Sequence, residues 1–322
     1  MALAETEILV AGGGIAALTA GLFGARHGRK TTVLTGGLGA GGSLLSVGHI
    51  EDFPGFPDGV PGYDLCPMIQ EQASAAGADF QMTSIESLAE DAGYWVAKTS
   101  EGEIMAKAVI LATGSRFRCL EVPGEERLKG KGVSQCATCD GPLARGATVA
   151  VVGGGDSALL ETLELMDYVA RVVLIHRGDS LDGQQTYRDR ILASSGVDVR
   201  LRSVVEEILG GDRVTGVRVR SVDGVEDHDV TAVFVYVGTE PNTSLFAPPL
   251  SLDAHGRIPT DTSMRTNLPG VYAAGDIRTD SARQGVAAAG DGATAAVSAH
   301  RYLSDGVWAA ADASCDRSSP TA

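Results

Sequence analysis

Apolar residues in this chain fall into short continuous runs that end in glycine. The first, Glu7-Ile-Leu-Val-Ala11, leads into Gly12-Gly-Gly-Ile-Ala-Ala17. Such a run, bounded by glycine, predicts a strand buried on both faces, as in a parallel sheet. An alanine-rich stretch with helical spacing follows from about Ala16 to Arg26, then a second strand over Thr31–Leu34. The same order returns later as a strand at Ala147–Val152, the turn Gly153-Gly-Gly-Asp-Ser-Ala158, a helical stretch over Leu159–Asp167 and a strand at Arg171–Ile175. Strand, glycine turn, helix and strand therefore occur twice.

Each turn fits the pattern G-x-G-x-x-G/A, with Gly12, Gly14 and Ala17 in the first and Gly153, Gly155 and Ala158 in the second. The first glycine permits a tight turn and the second lets backbone approach a pyrophosphate at the helix N-terminus. Two flanked copies predict two dinucleotides in two domains. An acid that would bind a ribose is missing after both second strands. Thr35-Gly36 stand in the first unit and His176-Arg177 in the second, and an arginine suits a 2′-phosphate.

Composition narrows the class. The 322 residues suggest about two domains. Hydrophobic residues make up 44%, enough for sizeable cores, and the 42 glycines cluster after β-branched runs, so the chain reads as α/β. A net charge of −15 argues against nucleic acid and anionic membrane as partners. No apolar run reaches membrane-spanning length, and the start MALAETEILV has no basic segment of the signal-peptide kind. A cytoplasmic location is expected.

Five cysteines, Cys66, Cys119, Cys136, Cys139 and Cys315, form no dense framework. Only Cys136 and Cys139, in Gln135-Cys-Ala-Thr-Cys-Asp-Gly141, stand close together. A zinc site would need a second close pair of ligands, and the sequence has neither one nor a His-x₃₋₅-His. A redox pair is the better reading, with Cys66 and Cys119 expected as buried thiols and Cys315 as an incidental thiol in a mobile tail.

QCATCDG followed by VVGGGDSA resembles the low-molecular-weight bacterial thioredoxin reductases, a branch of the pyridine nucleotide–disulfide oxidoreductases. Further matches run in the family's order: Glu51-Asp-Phe-Pro-Gly-Phe56, Ile110-Leu-Ala-Thr-Gly114, Gly132-Val-Ser134, Gly238-Thr-Glu-Pro-Asn-Thr243, Gly270-Val-Tyr-Ala-Ala-Gly-Asp276 and Arg283-Gln284. The resemblance implies two Rossmann-like domains of the three-layer ββα type, the second inserted into the first. An FAD domain would span 1–117 and 246–322, and a pyridine-nucleotide and dithiol domain 118–245, joined near Glu121–Glu125 and Gly238–Asn242. It implies a homodimer whose inserted domain rotates between two arrangements.

By the same resemblance FAD would meet Gly12, Gly14, Ala17, Thr35, Gly36, Gly41, Gly42, Ser43 (where the family has Gln), Asp52 (where it has Asn), Thr113, Gly114, Gly275, Asp276, Arg283 and Gln284. A helix N-cap is the ordinary alternative for Asp276. NADPH or NADH would meet Gly153, Gly155, Asp156, Ser157, Ala158, His176 and Arg177. Cys139 would face the flavin, Cys136 would attack the partner's disulfide, and Asp140 would move the proton. The family's His-Arg-Arg-x-x-x-Arg reads His176-Arg177-Gly178-Asp179-Ser180-Leu181-Asp182 here, so two of three arginines are lost. Each is worth roughly 1.5–3 kcal/mol toward a 2′-phosphate, with Arg188 and Arg190 as the nearby replacements.

Three functions follow. The first is a reductase passing electrons from a pyridine nucleotide through FAD and Cys136/Cys139 to a thioredoxin-like disulfide. The second is an FAD-dependent dithiol oxidase with O₂ as acceptor, acting on a small-molecule or protein dithiol. The third takes electrons from a ferredoxin-type protein.

Overall fold

A computed structural model describes residues 4–37, 39–246 and 248–308. Cys315 and the tail around it lie outside the described residues. The chain separates into two compact units. One comprises the described parts of Met1–Gly42, Cys66–Gly114 and Pro241–Ala322; the other comprises Ser43–Leu65 and Ser115–Glu240.

In the first unit, strand Ala4–Ala11 lies parallel between Thr31–Leu34 and Gly102–Leu111. Asp79–Gln81 extends the sheet on one side, and Val271–Ala273 pairs with the end of Gly102–Leu111. The beginning of that long strand carries the antiparallel strands Tyr94–Thr99 and Ile85–Asp91. Thr31–Leu34 and Ile8 to Ala11 are buried throughout, because the sheet is covered on both faces. Leu9, Ala11, Leu34, Val109, Leu111, Val271 and Ala273 enter one core.

Helix Ile15–Arg26 buries ten of its twelve residues. Small side chains make this possible. A Cβ on Gly292, in helix Gly285–Asp305, would stand 2.1 Å from the Ala16 carbonyl oxygen, so the two helices meet backbone to backbone.

The second unit holds the parallel order Val197–Arg200, Arg171–Ile175, Thr148–Val152, Val233–Val235, Val133–Ser134. Side chains alternate across it with period two. Val149, Val151, Val172, Leu174 and Phe234 pack with Leu159, Leu165, Tyr187 and Ile191 from the helical layer. Ala150, Val152, Val173, Ile175, Val233 and Val235 pack with Val205, Ile208, Val217 and Val219. The latter four come from the antiparallel sheet Val204–Gly210, Val214–Ser221, Gly224–His228. Each buried Val or Leu contributes about 1.5–3 kcal/mol. Both units are thus Rossmann-like and layered ββα.

The strands at Thr31–Leu34 and Arg171–Ile175 have the expected bounds. The second helix does not, since it runs over Asp156–Leu165 rather than Leu159–Asp167. Its first turn is formed by the polar end of the glycine loop, where apolar spacing gives no signal. Among the described residues no helix is long and apolar enough to cross a membrane.

Candidate active site

The two glycine loops answer the same steric demand. Gly12 has φ +137°, and a Cβ there would lie 2.1 Å from the Ala112 carbonyl oxygen. Gly153 has φ +146°, and its Cβ would lie 2.3 Å from the Tyr236 carbonyl oxygen. Only glycine serves at either point. Gly14 and Gly155 are instead open, with nothing within 4 Å of an added Cβ. Each is the extended residue before its helix, and neither helix has a side-chain cap. The first helical N–H groups and the space beside them therefore fit the pyrophosphate of a dinucleotide.

Around the first loop, the Gly41 N–H donates to the Gly13 carbonyl at 2.7 Å, and Gly42 lies so close to Gly14 that a Cβ would meet its Cα at 2.9 Å. Ala17 is fully buried in the loop's helix. Thr35 is buried with its N–H on the Gln81 carbonyl (2.9 Å), and Gly36 has φ +77° with its N–H on the Thr83 carbonyl (3.1 Å). Thr113 Oγ1 donates to the Asn242 carbonyl at 2.7 Å, and the Asn242 N–H donates to the Gly114 carbonyl at 3.0 Å.

Gly275 is buried with φ +79°, and its N–H donates to Asp291 Oδ2 at 3.1 Å. Asp291 is itself buried and pairs through both oxygens with Arg278, at 2.5 and 2.9 Å. The cap of the short turn Gly275–Ile277 is Ala274, so Asp276 sits inside the turn rather than at its N-cap. Gln284 caps the long helix by its backbone, and Arg283 before it is exposed with φ +55°.

Ser43 and Asp52 fall in the other unit, on Ser43–Leu65. Ser43 is exposed, its carbonyl accepting from Ser46 Oγ at 2.9 Å. Asp52 is exposed too and accepts from Gln184 Nε2 at 2.9 Å.

Cys136 and Cys139 are joined as a disulfide with Cα atoms 5.3 Å apart. Cys136 is the N-cap of a one-turn helix, Ala137–Asp140, that contains Cys139, and the Cys136 Sγ accepts the Cys139 N–H at 3.1 Å. Cys136 is half-buried and Cys139 exposed. Ser134 Oγ accepts the Cys136 N–H at 3.1 Å and donates to Asp140 Oδ2 at 2.5 Å. The sulfurs, the serine and the carboxyl thus form one connected turn.

Behind it lies Glu161, only 5% exposed, whose Oε2 accepts the Ala137 N–H at 2.8 Å and the Tyr236 hydroxyl at 3.0 Å. Burial pushes the Glu161 carboxyl up to about 7, opposed by those two hydrogen bonds and aided by Glu164. The Tyr236 hydroxyl is raised by burial and by Glu161. Thr138 Oγ1 lies 2.6 Å from Glu164 Oε1 and 3.0 Å from the Ser46 carbonyl oxygen.

At the second loop, His176 is buried with its ring over Gly154, where a Cβ would stand 2.3 Å from Nδ1. Arg177 is exposed. The Gln184 N–H donates to Asp156 Oδ1 at 2.7 Å; Ser157 follows Asp156 in the first helical turn, and Ala158 is buried. Arg188 and Arg190 are engaged elsewhere: Arg188 donates to the Leu181 carbonyl at 3.2 Å and to Gln185, and Arg190 pairs with Glu51 at 2.7 Å.

Cys66 is buried, which raises its thiol to about 11, whereas Cys119 is exposed, against the expectation of a buried thiol. Cys119 lies just past the short strand Ser115–Phe117, where the chain runs over the surface.

Sequence reading missed Glu161, Tyr236, Ser134 in its bonding role, and the pair Asp291–Arg278. Glu161 and Glu164 sit three apart on one helix, the one available signal. Nothing local marks Tyr236 or Asp291.

The pyridine nucleotide-disulphide oxidoreductase family matches residues 6–293. A thioredoxin reductase of Listeria monocytogenes is 39% identical over 302 residues, covering 93% of this chain and 94% of the relative. One from Streptomyces clavuligerus is 38% identical over 301 residues, covering 92% and 94%. The crystal structure of Lactococcus lactis thioredoxin reductase superposes with a TM-score of 0.90 at 33% identity, covering 93% of this chain and 99% of that one.

Proposed function

The chain belongs to the pyridine nucleotide-disulphide oxidoreductase family, and from that premise we propose that it is an FAD-dependent reductase of a thioredoxin-like protein disulfide. The net reaction takes a reduced pyridine nucleotide, one proton and a disulfide to the oxidised nucleotide and a dithiol. FAD, when bound, supplies the two-electron relay between nucleotide and disulfide. The parts spanning 1–117 and 246–322 hold it, through Gly12, Gly14, Ala17, Thr35, Gly36, Gly41, Gly42, Ser43, Asp52, Thr113, Gly114, Gly275, Asp276, Arg283 and Gln284. The part spanning 118–245 holds the nucleotide, through Gly153, Gly155, Asp156, Ser157, Ala158, His176 and Arg177, and carries the dithiol. The protein acts as a cytoplasmic homodimer.

The hydrogen bond from the Cys139 N–H to Cys136 Sγ carries the assignment of roles. Once the pair is reduced, that N–H stabilises a thiolate on Cys136, and the thiolate is the form that attacks. Its attack on a sulfur of the partner's disulfide gives a mixed disulfide and releases one thiolate, which takes up a proton. Cys139 then attacks Cys136 Sγ, restoring the internal disulfide and releasing the second thiol. Asp140, which accepts from Ser134, takes the Cys139 proton, and the departing thiolate picks one up.

Cys136→Ser and Cys139→Ser should each abolish nucleotide-driven disulfide reduction; full turnover by either would remove the pair from the mechanism. Gly178 and Asp182 favour a second reading, the dithiol oxidase that uses O₂. Anaerobic mixing separates the two. Flavin bleaching by NADPH or NADH supports the reductase. Bleaching by dithiol alone, with colour restored by oxygen, supports the oxidase.

A further inference from the structure

The segment after strand Arg171–Ile175 is folded down onto the second glycine loop. The N–H groups of Asp182 and Gly183 both donate to the Gly154 carbonyl, at 2.8 and 3.1 Å. His176, its side chain only 8% exposed, fills the space beneath. Its Nε2 makes no hydrogen bond, and Asp182 Oδ2 lies 3.4 Å away. A Cβ on Gly178 would come within 2.5 Å of that same nitrogen, so no side chain fits at 178 without displacing the ring. The Asp182 carboxylate is 71% exposed on the open side.

Three arginines of this unit are already engaged. Arg188 is turned onto the Leu181 carbonyl, Arg190 onto Glu51, and Arg200 onto Asp198 at 3.0 Å. Arg177 and Arg202 are exposed, and so are Asp179 and Asp182. A carboxylate beside the mouth of a dinucleotide loop suits a ribose hydroxyl and repels a phosphate.

We propose that the second loop selects a pyridine dinucleotide with a free 2′-hydroxyl, NADH rather than NADPH, and that Asp182 is the specificity-determining residue, accepting a hydrogen bond from that hydroxyl. The inference rests on the reading that this loop binds the electron-donating nucleotide. Gly178 contributes by leaving His176 in place, and the Asp182 N–H, donating to the Gly154 carbonyl, holds Asp182 at the loop.

Two measurements on the FAD-loaded enzyme test it. Calorimetry with ADP-ribose and its 2′-phosphorylated counterpart reads binding alone, and anaerobic flavin bleaching by NADH and NADPH reads electron transfer. The unphosphorylated ligand should bind roughly ten- to a hundredfold tighter, the ratio set by one hydrogen bond to a charged group plus like-charge repulsion. Asp182→Arg should shift the ratio at least about tenfold toward the phosphate, and Asp182→Asn should move it less in the same direction. Flavin content and melting temperature establish that both variants are folded.

Equal or tighter binding of the phosphorylated ligand overturns the proposal, as does an unchanged ratio in both folded variants. Binding of neither ligand also overturns it. In that case bleaching by dithiothreitol with reoxidation by O₂ points to the dithiol oxidase, whereas a flavin that no nucleotide and no dithiol bleaches would sink the disulfide oxidoreductase reading itself.

Discussion

Gly12 and Gly153 meet the same obstacle, a carbonyl oxygen 2.1 or 2.3 Å from where a Cβ would stand, and both solve it with a positive φ near +140° (137° and 146°). Beyond the loops the two units part. The helix after Gly14 is apolar almost all round, with no acid in its first turn. The helix after Gly155 begins with Asp156 and carries Glu161 and Glu164 further along. Its beginning offers a phosphate cradle, and its middle supports the disulfide turn through the Ala137 N–H.

The first unit also has a buried acid holding a turn by its backbone, Asp291 on the Gly275 N–H, but there an arginine balances the charge. A shared fingerprint therefore fixes the cradle alone, and what each helix carries afterwards fixes the use.

Alanine at the two first glycines gives the strongest test of that equivalence. Gly12→Ala forces a Cβ into the Ala112 carbonyl at an unfavourable φ, at a cost of about 4 kcal/mol or more. Purified protein should be flavin-free or unfolded. Gly153→Ala should cost a similar amount locally yet keep flavin, losing pyridine nucleotide binding instead. Loss of flavin from both variants would break the comparison.

Asp291→Ala ranks next. It leaves the Arg278 guanidinium and the Gly275 N–H without their acceptor, a loss of about 3 kcal/mol for a pair this buried. Thermal melting and flavin retention should fall together, with the Cys136–Cys139 turn unaffected in thiol titration.

Among the described residues no arginine pairs with Glu161, whose carboxyl is met by the Ala137 N–H and the Tyr236 hydroxyl. Its folded carboxyl is raised from 4.5 to about 7, so the folded state holds a proton that the unfolded state has already released between those values. Stability from this group is then complete below about pH 4.5 and is lost as pH rises through about 7, by up to roughly 3 kcal/mol. Glu161→Gln removes the titration. Melting curves from pH 5 to 8 should show wild type declining relative to the variant. Parallel curves would mean that the charge is compensated, as at Asp291.

What could be read from the chain follows the range of the force involved. Gly12, Gly153, the four buried strands and Cys136/Cys139 are set by local sterics and short spacing, and sequence shows them. Glu161 meets Tyr236, and Asp291 meets Arg278, only when distant elements pack, and a lone acid in a helix looks solvated on paper. The same limit misled the expectation for Cys119, whose surroundings depend on a surface crossing. Thr35-Gly36 carried no acid signal, yet their N–H groups are spent on the Gln81 and Thr83 carbonyls, a backbone arrangement that residue identity does not announce.

Ser134 gives the smallest and sharpest case, because its hydroxyl serves only the second unit's chemistry. Oγ accepts the Cys136 N–H and donates to Asp140 Oδ2, so alanine removes both at once from a half-buried site. Water can reach the exposed edge of the turn, and the net loss should be about 1 kcal/mol, a fall of about 2–4 °C in melting temperature. Asp140 would keep its place in the chain but lose the hydroxyl that orients it. If it carries the Cys139 proton, disulfide reduction should slow about fivefold in kcat with KM for the nucleotide unchanged, the rate equivalent of about 1 kcal/mol. A Ser134→Thr variant, which keeps the hydroxyl, should recover most of the rate. A slower enzyme that threonine does not rescue would mean that the side chain matters only for packing, and the helix behind the turn, with Glu161, would then be its main support.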